Sequence, residues 1–131
     1  MKAHARQPDY ASCPEALLSH VTPGQTFITP GKSYEVHAIA TFEGRLALQV
    51  INDIGYPAWE NIWLFSGVEG ELPRDWICTA HPNGPPELIL GPEFIARDQE
   101  SYVRMVELES EQVRLFWQRI SLLEAHEAER A

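Results

Sequence analysis

The chain is short of cysteine, of long apolar runs and, beyond residue 50, of cations. Each shortage excludes a class of protein. Cys13 and Cys78 are the only cysteines, too few for a disulfide-stapled scaffold. No apolar run approaches the roughly 20 residues of a membrane-crossing helix. The opening MKAHARQPDYASC carries Lys2 and Arg6 but no apolar segment, so no secretory signal is expected. The expectation is a reduced, cytoplasmic protein with no membrane partner.

Catalytic spacings are also missing. There is no nucleophile elbow and no metalloprotease motif. Gly31-Lys32-Ser33 has the ending of a phosphate-binding loop. Thr26 stands where that loop needs its first glycine, however, and the residues that follow read as a strand rather than a helix. Cys78 and His81 are spaced like metal ligands, but the tight second pair of a zinc site is absent. Glu69 with Glu71, and Glu107 with Glu109, read as solvated charge rather than acid/base pairs. No catalytic residue, no metal and no cofactor are expected.

What is present is acid. Nineteen carboxylates face ten Lys and Arg, for a net charge of −9. Residues 1–50 balance, with Lys2, Arg6, Lys32 and Arg45 against Asp9, Glu15, Glu35 and Glu43. Residues 51–131 hold six basic and fifteen acidic side chains, and 6 − 15 = −9. Such a surface repels nucleic-acid phosphates and attracts cationic partners. With 131 residues, 44% of them hydrophobic, the chain suits one domain with a real core.

The organising stretch is Thr29 to Ile51, a turn and then a β-hairpin. Pro30-Gly31 suits a tight turn, because Pro fixes φ and Gly accepts φ > 0. A two-residue Glu43–Gly44 loop would set His37 against Val50 and Ala38 against Gln49, mixing both faces. A three-residue loop of Phe42, Glu43 and Gly44 pairs Val36 with Val50, Ala38 with Leu48 and Ala40 with Leu46. It separates apolar from polar better, so this register is expected.

Residues 1–12 read as a tail, with one helical turn from Pro14 to His20. Thr22 to Phe27 reads as a first turn before the Thr29 turn. After the hairpin, Asn52 to Gly55 is a second turn. Short strands are expected at 56–59, 65–68, 76–79 and 88–90, with Glu60 to Leu64 a helical turn. Gly91-Pro92 opens a run free of further Gly and Pro. Within it Val113, Phe116, Trp117, Ile120 and Leu123 form one apolar helical stripe. Phe94, Tyr102, Val103 and Val106 read as a preceding helix that packs the same way.

Tyr56, Trp59, Trp63, Phe65 and Trp76 are dense in aromatics. They serve a core, or they anchor an interface, where Trp and Tyr concentrate binding energy. Asp53, Glu60, Glu69, Glu71 and Asp75 lie among them in sequence, and Arg74 is the only interleaved cation. Aromatic anchors ringed by acids suit a basic protein and not RNA or DNA. The candidate binding residues are therefore Tyr56, Trp59, Trp63, Trp76, Asp53, Glu60, Glu69, Glu71 and Asp75.

Thr29-Pro-Gly-Lys-Ser-Tyr-Glu-Val36, Ala38-Ile39, Tyr56-Pro57, Leu64-Phe65, Leu72-Pro73, Trp76 and Leu90-Gly91-Pro92-Glu93 together resemble small bacterial proteins with a Src-homology-3-like barrel. Most of those proteins are uncharacterised, and some are suspected immunity proteins of polymorphic-toxin systems. The resemblance covers roughly residues 29–95 and a C-terminal acidic helix, and leaves out the first 28 residues. It carries turn and core signals and no catalytic residues. It implies a mainly β (α+β) fold, a small Src-homology-3-like β-barrel with C-terminal amphipathic helices packed on it. The expected layout is one domain: a tail and helical turn over 1–28, the barrel over 29–91, and helices over 92–131. The implied function is a non-enzymatic immunity-type inhibitor that holds a cationic protein such as a toxin. The alternatives are a small-ligand or peptide-binding barrel, or an enzyme built on His81 or Cys78.

Overall fold

The computed structural model describes residues 1–21 and 26–130. The turn expected over Thr22 to Phe27 lies largely outside the described residues. Two open antiparallel sheets and a set of C-terminal helices make up the fold. The three-stranded sheet has the order β2 (Ser33–Glu35), β1 (Lys2–Ala5), β6 (Phe65–Glu69). The five-stranded sheet has the order β5 (Pro57–Asn61), β4 (Arg45–Ile51), β3 (Ala38–Phe42), β8 (Leu88–Gly91), β7 (Ile77–Ala80). The class is mixed sheet and helix as expected, but neither sheet closes into a barrel. The ends of each strand order stay unpaired with one another.

The first residues are not a tail. Lys2–Ala5 is the central strand of the smaller sheet, paired with β2 on one side and β6 on the other. The pattern is a short alternation. Ala3 and Ala5 point inward and are buried, while Lys2 and His4 face out. Two alanines carry too little hydrophobic signal to announce a strand, yet their small size lets the backbone lie close over the core.

The hairpin takes the other register. Ile39 faces Leu48, Ala38 faces Gln49 and Phe42 faces Arg45, across a two-residue Glu43–Gly44 turn. Both turn residues have positive φ, 52° and 76°, the signature of a type I′ turn. Face segregation was the wrong criterion, because these central strands are covered on both sides. Ile39, Leu46, Leu48 and Val50 pack with Ala3, Tyr34, Leu64 and Phe65 in one core between the sheets. Ala38 and Ala40 turn to the opposite face and meet Ile89, Ile95, Tyr102, Met105 and Phe116 in a second core under the helices. On β3 the helix face carries the small Ala38 and Ala40, and the intersheet face the larger Ile39.

The helices are placed by local signals. Gly91-Pro92 leads into α2 (Glu93–Ala96). Asp98 caps α3 (Gln99–Val106), accepting the Ser101 amide at 2.7 Å. Leu108, at φ 54°, ends α3 in the left-handed conformation, and the Glu109 amide donates back to the Arg104 carbonyl at 3.0 Å. Val103 and Val106, expected inside, are exposed; Tyr102 and Met105 carry that packing. α4 (Ser110–Arg130) follows, and the buried Gln112 fastens it by donating to the carbonyls of Phe94 and Ser101 at 2.8 and 2.9 Å. Phe116 is fully enclosed, whereas Trp117, on the expected stripe, is 39% exposed.

Candidate binding groove

The aromatic set does not gather into one patch. Trp59 lies on the helix face of β5, its ring 4.9 Å from that of Tyr102, and its indole N–H is buried without a partner. Trp63 packs against the intersheet core with Arg6 stacked 4.5 Å from its ring centroid and Tyr10 at 5.7 Å. Trp76 is half-buried against that same core. Only Tyr56 is well exposed, on the β4–β5 turn beside Ile54. The Asp53 amide donates to the Phe27 carbonyl at 2.9 Å, which brings the exposed Phe27 to this turn.

The acids expected around those aromatics are largely committed elsewhere. Asp53 accepts from Thr29 Oγ1, Lys32 Nζ and the Tyr34 hydroxyl at 2.6, 2.9 and 2.7 Å. Burial pushes the Asp53 pKa up, but the hydrogen bonds from Thr29, Tyr34 and Lys32 outweigh it and hold the carboxyl below its ordinary range. Asp75 is gripped by Arg119, whose hydrogen bonds lower its pKa. Glu69 meets His4. Glu60 faces the intersheet core beside its cross-strand neighbour Leu48, and burial pushes its pKa up to about 7. Glu71 alone is exposed with no described ion pair.

A row of polar side chains crosses the outer face of the three-stranded sheet. His4 Nδ1 lies 2.7 Å from Ser33 Oγ, and its Nε2 lies 2.8 Å from Glu69 Oε1. Hydroxyl, imidazole and carboxylate have the connectivity of a proton relay, but relay chemistry draws its strength from a water-excluded site. Here the Glu69 side chain is 75% exposed. The row ties β2, β1 and β6 together across their solvent face. Cys78 is exposed on the edge strand β7, and no group of three potential metal ligands occurs among the described residues.

A groove of about 610 Å³ lies between the smaller sheet and the second half of α4. Lys2, Ser33 and Glu35 form its sheet wall, and Val36, His37 and Ile51 its floor. Ile120, Leu123, Glu124 and Glu127 form the helix wall, with Arg119 at the base. The fold explains each wall. β2 and β3 are one strand bent at Val36 and His37, so the chain leaves one sheet for the other at the groove floor. α4 packs against the core under the larger sheet through Val113, Phe116 and Ile120 and then runs on, with residues 121–129 exposed at every position. The arm overhangs the bend.

His37 is the unusual group in this floor. It is 7% exposed, its ring meets Phe116 edge-on at 5.2 Å, and its ring nitrogens are in no described hydrogen bond. Burial lowers its pKa to about 4, so the imidazole is neutral at physiological pH. No family model matches the chain, and neither a curated protein nor a solved structure matches it. The groove therefore stands on its own geometry. Its residues were hidden from sequence reasoning because they come from β1, β2, β4 and α4. The one available signal was the length of α4 beyond its last buried residue.

Ion pairing shapes the surface around it. Lys32, Arg45, Arg97, Arg104, Arg114 and Arg119 each sit in a described ion pair with a carboxylate. Six of the ten Lys and Arg are thus neutralised locally, while Glu71, Glu107, Glu124 and Glu127 are exposed acids in no described pair. No described helix is long and apolar enough to cross a membrane.

Proposed function

We propose that this chain is a non-enzymatic, cytoplasmic protein-binding module, an immunity-type inhibitor that holds a cationic protein such as a toxin. The supporting observation is the combination of a net charge of −9 with six of the ten cations already in described ion pairs, which leaves exposed carboxylates beside an open groove. Charge of one sign speeds encounter with a basic partner, and apolar contacts then set residence time. The bent β2–β3 strand, shared by two sheets, supports reading the fold as an open variant of the Src-homology-3-like barrel. The test is capture from host lysate at low and then high salt, with the retained proteins identified and repurified. One basic protein that forms a defined complex with the purified chain is the expected result. Failure to form such a complex would remove the reading.

A second reading, a peptide-binding module with no inhibitory role, draws on the groove itself, whose volume lies in the range of ligand sites. It predicts binding to short peptides from unrelated proteins with comparable strength. The inhibitor reading predicts one strongly preferred partner.

A further inference from the structure

We infer that the groove under the α4 arm receives an extended, lysine- or arginine-bearing segment of the partner, with the neutral His37 imidazole bonding that segment's main chain. This rests on the protein-binding reading above and names the place and the kind of segment. His37 is more than nine-tenths buried, its backbone amide donates to the Gln49 carbonyl at 2.8 Å, and its ring nitrogens are in no described hydrogen bond. Unlike Gln49 and Trp59, whose unpaired polar atoms are sealed inside the protein, it lines the groove. A neutral imidazole offers one donor and one acceptor, the two functions of a peptide unit. Neither function is sealed inside the protein, so both are free to be taken up by a ligand that enters the groove.

The neighbouring edge favours an extended occupant. The Val36 amide bonds to the Met1 carbonyl and the Ala5 amide to the Lys32 carbonyl, each at 2.9 Å. By antiparallel alternation, the main-chain groups of Ser33 and Glu35 then point away from β1, and β2 is an edge strand. An incoming strand finds outward-pointing backbone there, in no described strand pairing, and the groove beside it takes alternate side chains.

Charge selects the sign of those side chains. On the helix wall Glu124 and Glu127 are exposed and in no described ion pair; on the sheet wall Glu35 is paired with the Met1 ammonium and Lys2 is in no described pair, so two acids face one cation. Arg119 at the base is already bound to Asp75. Ile120 and Leu123 lie between the charged positions and suit the apolar side chains of the same segment. A second copy of this chain would bring its own net −9 to the acidic wall, so self-association is disfavoured.

The experiment is a titration of the isotope-labelled full chain with a short, end-blocked peptide of alternating lysine and valine, followed by nuclear magnetic resonance at low salt. Shifts are expected at residues 33–37, in the His37 ring and along residues 119–127. The double variant Glu124→Gln/Glu127→Gln is expected to weaken binding by about tenfold with its thermal midpoint unchanged. The same peptide with glutamate in place of lysine is expected not to bind. Shifts centred instead on Tyr56 and Phe27 would overturn the groove assignment and leave the protein-binding reading standing. Absence of any lysine–valine binding would overturn the inference, while the fate of the broader reading is decided separately by the captured complex.

Discussion

Arg119 reaches Asp75 with both guanidinium nitrogens, Nη2 to Oδ1 at 3.0 Å and Nη1 to Oδ2, so α4 is clamped to the loop before β7. The arginine side chain is 15% exposed and the aspartate 62%. The two partners should therefore respond unequally to removal. Asp75→Ala is expected to cost less than about 1 kcal/mol, as for an exposed carboxylate. Arg119→Ala is expected to cost more, because it also strips packing from the groove base. A double-mutant cycle in urea checks this. A coupling of roughly 0.5–1 kcal/mol is expected, and additive effects would mean that the clamp contributes nothing.

Two buried titratable groups pull stability in opposite directions with pH. His37 has a folded pKa of about 4 against 6.5 in its ordinary state. Its contribution is complete above pH 6.5 and is lost as pH falls toward 4. Glu60 is raised from 4.5 to about 7. Its contribution is complete below pH 4.5 and is lost as pH rises through 7. Each effect is worth roughly 3 kcal/mol at its full extent. Glu60→Gln is expected to stabilise the protein by about 2 kcal/mol at pH 8 and hardly at all at pH 4.5. Equal effects at the two pH values in urea denaturation would show that Glu60 is not held protonated.

Gln49 is fully buried on the helix face of β4, with both polar atoms of its amide unpaired. An amide in that position costs desolvation with nothing in return. Gln49→Met keeps the volume and removes the polar atoms. It is expected to raise stability by about 1 kcal/mol, read as a higher urea midpoint with an unchanged slope. A lower midpoint would mean that the amide has a partner.

Leu108 ends α3 at φ 54°, a conformation that glycine adopts without strain. Its side chain is 40% exposed, so little packing is lost on removal. Leu108→Gly is expected to stabilise the protein by about 0.5–1 kcal/mol, seen as a rise in thermal midpoint. A fall would show that the Leu108 side chain outweighs the backbone strain.

Much of the fold could be read from local chemistry. Pro30-Gly31 forms the expected turn, with the Lys32 amide bonded to the Thr29 carbonyl at 3.1 Å and Gly31 at φ 86°. Asn52 to Gly55 turns as expected, the Gly55 amide bonding to the Asn52 carbonyl at 2.9 Å. Strands and the long helix follow apolar periodicity. Failures came where a residue's partner lies far along the chain. The Lys2–Ala5 strand is specified by β2 and β6, which lie on either side of it. The hairpin register is decided by two covering layers rather than by one wet face. Phe42 is 40% exposed at the strand end, because the left-handed pair Glu43–Gly44 completes the turn without it. The candidate site was harder still. Aromatics and acids adjacent in sequence diverge onto opposite sheet faces, while the groove collects residues up to 125 positions apart, Lys2 and Glu127.

The most direct test of the account is the salt dependence of binding between the purified chain and the basic protein recovered by capture, measured by titration calorimetry. An acidic surface that recruits a cationic partner predicts an affinity that weakens by at least about tenfold between low and high salt, and weakens again in Glu124→Gln/Glu127→Gln. An affinity unchanged by salt and by both substitutions would contradict it.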